Sequence, residues 1–140
     1  MKTKQKWIKL GIVMTFISLL SLVLVFEYCR AHGWTQTLIV LEIISIVTLI
    51  LSFIYSYVQT GLWSFTHKPV DKMDEREIAM ASKSLRSGYA IFTVVVLCLL
   101  LFLSLTNNNI SIVMVASVIV FAHILPASVI VWKKKVSFNS

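Results

Sequence analysis

Four long, almost unbroken apolar runs dominate the chain, at residues 10–26, 38–58, 90–105 and 110–132. Rising about 1.5 Å per residue, each helix is about long enough to cross a hydrocarbon core of roughly 30 Å. The runs lack the two-residue alternation of a barrel strand, and a helix is the element that satisfies its own backbone in lipid. The pattern therefore predicts a single-domain, all-α membrane protein with four transmembrane helices in an antiparallel bundle, over about 7–28, 36–62, 75–106 and 110–132.

The polar exceptions inside these runs are ordered. In the second, Glu42, Ser45, Thr48, Ser52, Ser56 and Gln59 recur every three or four residues, which places them on one stripe expected to face the bundle interior. Glu42 is the one acidic residue well inside a span. A carboxylate at the membrane centre costs about 2.5–3.5 kcal/mol, so Glu42 should face protein or water or carry a proton. Counting from the helix ends puts Ser21 and Ser117 near the level of Glu42, roughly 9 Å deep, and His123 near Thr15, Thr48 and Thr93, roughly 21 Å deep. Two separate polar layers are expected, giving an intramembrane candidate site of Glu42, Ser45, Ser21, Ser117 and His123. It supports a proton-coupled exchange at Glu42, or plain interhelical hydrogen bonding worth about 1 kcal/mol or less per bond. For His123 a structural role is expected, with Pro126 freeing a carbonyl in the turn before it.

The connections differ in length. Residues 27–34 and 106–109 are short, so the first and second helices, and the third and fourth, should be antiparallel neighbours, with Gly33 and the three asparagines supplying the turns. The middle connection, about 63–88, is long and holds four of the six acidic residues. There Pro69 discourages helix, whereas Asp74 and Glu77 have the spacing of a capping box, with Glu75 in the first turn. Ile78, Leu85, Tyr89 and Phe92 follow at helical spacing. One continuous helix should thus run from about Glu75 into the third span, its first three turns along or just below the interface, with Arg76, Lys83 and Arg86 roughly opposite the apolar stripe.

Composition agrees: the chain is 58% hydrophobic and 14% charged, with a mean hydropathy of +0.87, too apolar for a soluble domain of this size. Of thirteen basic residues, twelve fall before the first span, between the second and third, or after the fourth; only Arg30 falls on the other side. The positive-inside rule then places both termini and the long connection in the cytoplasm, and a bacterial inner membrane is the expected location. The net charge of +7 needs no nucleic acid, since anionic lipid headgroups account for a basic cytoplasmic face. Trp7, Trp34, Trp63 and Trp132 fall at predicted span ends, where an amphipathic ring prefers to sit. The first run is read as a span rather than a signal peptide: it is long for one, and Glu27 and Arg30 stand where cleavage wants small neutral residues.

Little points to catalysis. Cys29 and Cys98 are at different depths and form no Cys-x-x-Cys pair. His32 and His67 are expected outside the spans on opposite sides, which argues against a bis-histidine haem; no cofactor and no metal site is predicted. The acids of the Asp-Glu-Arg-Glu cluster are nearly consecutive at a helix start and so point in different directions. Asp74, Glu75, Arg76, Glu77, Lys83 and Arg86 read better as a docking or lipid-headgroup surface.

The stretch "MDEREIAM", following a second span and running into a third, resembles the cytoplasmic Asp-Glu-Arg motif of small bacterial four-span inner-membrane proteins, a family without an assigned activity. The resemblance covers about twenty residues plus the four-span layout, and implies no chemistry. The expectation is a non-enzymatic accessory or assembly component of a membrane complex, partnered by protein or by its own copies. The competing expectation is a small oligomeric proton-coupled transporter or channel using Glu42.

Overall fold

The computed structural model describes residues 2–106 and 109–133; Asn107, Asn108, Lys134 and Lys135, which enter the turn and charge expectations, lie outside them. Five α-helices are present, α1 (Lys2–His32), α2 (Gln36–Phe53), α3 (Leu62–Thr66), α4 (Glu75–Thr106) and α5 (Ile112–Lys133), and no strand occurs among the described residues. Four are long and apolar enough to cross a membrane.

Local chemistry explains the ends. After α1 the chain reverses at Gly33, whose φ of 92° suits a residue without a side chain, and its N–H donates to the Cys29 carbonyl at 2.8 Å. Thr35 then caps α2, its hydroxyl accepting from the Leu38 N–H at 3.4 Å. At the start of α4 the capping box is formed: Asp74 Oδ1 accepts from the Glu77 N–H at 2.6 Å, and Glu77 Oε2 from the Asp74 N–H at 3.2 Å. Ser111 caps α5 by accepting from the Met114 N–H at 3.1 Å.

The four long helices form two antiparallel hairpins, α1 with α2 and α4 with α5, joined through α1 and α5. Burial shows which pair is central: 39% of the most apolar stretch of α1 and of α5 is buried, against 6% for α2 and 11% for α4. Polar contacts fix the α1–α5 register at both ends. At one, Lys9 Nζ lies 4.9 Å from the centre of the Trp132 ring; at the other, the Ser111 hydroxyl donates to Glu27 and Arg30 donates to the Asn109 carbonyl at 2.7 Å while pairing with Glu27 at 2.9 Å. Midway, Phe16 of α1 meets Phe121 of α5 edge-on at 5.7 Å, and Phe121 meets Phe92 of α4 at 6.2 Å.

Because lipid tails are as apolar as leucine, helices in a membrane associate through close packing and interhelical hydrogen bonds, and small residues at the interface permit both. Gly11 of α1 sits directly against Ser56. On α4, Ser84 and Gly88 are buried one turn apart, and a Cβ at Gly88 would be 3.3 Å from the Pro126 ring of α5.

Two features depart from the sequence reading. The second span does not stay α-helical to residue 62: it becomes a π-helical turn over Ile54–Val58, with the Gln59 N–H donating to the Ile54 carbonyl at 2.9 Å. This turn buries the adjacent Ser56 and Tyr57 completely. Next, the chain turns at Gly61, where φ is 73°, and α3 packs against the π-turn and α5, with Trp63 meeting Phe53 edge-on at 5.3 Å. Leu62 is fully buried in a core with Ile8, Ile12, Tyr57, Ile124 and Val131. The long connection therefore begins with a short helix folded onto the bundle, and Trp63 is partly buried against its core.

Candidate functional site

The residues of the intramembrane candidate site do not gather at one point: Ser21 and Ser45 meet, and His123 has other neighbours. On α2, Ser45 is buried and its hydroxyl donates to the Leu41 carbonyl at 3.0 Å while lying 2.9 Å from the Ser21 hydroxyl of α1. Glu42, half-buried, has its Oε2 shielded from solvent and without a hydrogen-bond partner among the described residues. Ser117 is buried on α5 and takes no part in the Ser21–Ser45 bond. Further along α1 and α2, Thr15 donates to Ser52 at 3.0 Å. The polar stripe of α2 thus faces α1 for most of its length, but Gln59 is exposed because the π-turn rotates the helix end away from the stripe.

His123 is not near this group. Its Nδ1 donates to the Ile119 carbonyl at 2.9 Å, and its ring lies 6.5 Å from that of His67, the two planes 6° from parallel. His67 lies outside the four spans, as expected, and the turn at Gly61 brings its ring beside that of His123. Both line a cavity of about 210 Å³ with Thr66, Ser84, Leu85 and Pro126. Phe53 and Trp63 stand beside it, Trp63 being 4.1 Å from the His67 ring.

Charge gathers at the end where α1 begins and α5 finishes. Besides its capping role, Glu77 accepts from Lys68 Nζ at 2.7 Å, so the acids of the capping box are engaged. Glu75 and Arg86 are exposed. Arg76 and Lys83 lie seven positions apart on one face of α4 and form no ion pair among the described residues. They flank a groove of about 680 Å³ whose floor is Ala79, Met80, Val129 and Ile130.

This arrangement offers cation–anion contacts above an apolar floor, plus hydroxyl and imidazole groups at membrane depth. No three His, Cys, Asp or Glu side chains converge as a metal cluster among the described residues, and Cys29 and Cys98 are free. Sequence reasoning missed His67; the available signal was Gly61 followed by the apolar residues Leu62, Trp63 and Phe65, a reversal with something to bury. Four apolar helices make this a multi-pass integral membrane protein. Protein-family models, curated proteins and solved structures all give no match to the chain.

Proposed function

We propose that this protein is an accessory or assembly component of a complex in a bacterial inner membrane, with both termini in the cytoplasm, docking a protein partner at the start of α4. The observation that carries the reading is the groove between α4 and α5, where Arg76 and Lys83 lack anionic partners among the described residues above an apolar floor. Two uncompensated cations beside buried apolar surface suit a segment with acidic and apolar side chains. The location is supported by Lys9 and Trp132 meeting at this end, as a cytoplasmic interface rich in lysine and tryptophan requires. The paired substitution Arg76→Glu and Lys83→Glu should release a co-purifying protein in mild detergent while the helices are retained. An unchanged set of co-purifying proteins, or phospholipid alone in the groove, would count against docking.

A second reading rests on Glu42, whose shielded Oε2 lacks a partner among the described residues. In this reading copies of the chain assemble around α2 and the carboxyl exchanges a proton for a substrate. Glu42→Gln should then abolish pH-dependent transport in liposomes; under the docking reading it leaves the co-purifying set intact.

A further inference from the structure

We infer that the partner at the groove is itself a membrane protein, bound through a transmembrane helix that lies along α4 and carries two acidic side chains seven positions apart, just cytoplasmic of its apolar stretch. This rests on the docking reading and adds the chemistry of the partner. The 32 residues of α4 make about 48 Å of helix against a hydrocarbon core of roughly 30 Å. Its start, with Arg76 and Lys83, therefore stands outside the lipid, and the apolar run from Ala90 onward lies within it.

The charged face continues into the membrane. Arg76, Lys83, Ala90 and Leu97 recur every seven positions, with Val94 and Leu101 four residues after Ala90 and Leu97. Such a repeat makes a seam along which a second helix packs at a shallow crossing angle of about 20°. The seam is uncovered: Arg76, Lys83 and Ala90 are exposed, and Val94, Leu97 and Leu101 are each 61% exposed, whereas Gly88 is buried against Pro126 of α5.

Charge decides the occupant. A second copy inserted the same way is related to the first by an axis along the membrane normal, so equal heights meet and each cation of the seam would face its own counterpart. A helix with acids seven apart places them about 10.5 Å apart along its axis, matching the rise from Arg76 to Lys83, and both cations then gain charge-assisted hydrogen bonds. Because lysine and arginine fill most cytoplasmic flanks of spans, an acidic flank is uncommon, and repulsion turns the others away.

The test places the full chain in phosphatidylcholine vesicles with fluorescent synthetic spans of about twenty apolar residues, flanked by two glutamates seven apart, two glutamates five apart, or two lysines seven apart. Energy transfer reads the binding. The span with glutamates seven apart should bind at least tenfold more tightly than the other two, and the paired substitution Arg76→Glu and Lys83→Glu should reverse the preference toward the lysine span. No binding of the glutamate span, equal binding of the two spacings, or no reversal overturns the inference. In cells, a photoreactive residue at position 94 or 97 should crosslink the same protein as one at position 76 or 83. Protein adducts confined to 76 and 83 overturn the transmembrane partner and leave the docking reading standing; lipid adducts alone at all four positions overturn both.

Discussion

Replacing Gly11 with alanine attacks a close approach between α1 and the second span. A Cβ there would fall on the Ser56 Oγ, with Tyr55 Cδ1 at 3.2 Å and Ser56 Cβ at 3.5 Å. Ser56 has no space to yield, because it is fully buried inside the π-turn. Overpacking of this kind costs about 1–3 kcal/mol. The main obstruction is the hydroxyl, with the Tyr55 ring needing to give only a few tenths of an ångström; that hydroxyl has no hydrogen-bond partner among the described residues, so Ser56→Ala should be neutral or stabilising by up to about 1 kcal/mol. In the double variant the two Cβ atoms meet at about the 3.5 Å now measured to Ser56 Cβ, an ordinary contact. Most of the Gly11→Ala cost should therefore vanish, leaving a coupling of about 1–2 kcal/mol. Reversible unfolding of the four proteins in mixed micelles by SDS titration measures this cycle. A Gly11→Ala protein as stable as the wild type, or a double variant in which the two effects simply add, would refute the packing described for this interface.

Other expectations follow from single contacts. Tyr57→Phe removes the 2.7 Å bond to Ser128, whose hydroxyl keeps the Ile124 carbonyl at 2.7 Å; a loss of about 0.6–1.7 kcal/mol is expected in the same titration, with little further loss when Ser128→Ala is added. Asp74→Ala should cost about 1 kcal/mol and raise amide exchange across the first turn of α4, while Asp74→Asn, which still accepts from the Glu77 N–H, should keep most of the protection. Similar exchange in both variants would mean that the capping box does not set the start of the helix.

What the sequence made legible was local. Apolar run length marked the spans, Asp74 and Glu77 marked a helix start through their three-residue spacing, and the short connection at Gly33 implied an antiparallel hairpin. The order of helices was not legible, because nothing in the runs distinguishes α1 and α5, which are central, from α2 and α4, which are peripheral. Residue counting along ideal helices separated Glu42 from His123 but could not pair His123 with His67. That contact depends on a left-handed Gly61 and a π-turn, which change direction without interrupting the apolar pattern. The stripe on α2 was visible up to Ser56 and lost at Gln59 for the same reason.

The docking account is tested most directly by photocrosslinking in living cells, with a photoreactive residue placed at position 76 or 83 of the groove and, as the control, at position 30 near the opposite end of the bundle. The account predicts one discrete protein adduct from both groove positions, absent from position 30. Adducts to lipid alone, or the same adduct from all three positions, would contradict it.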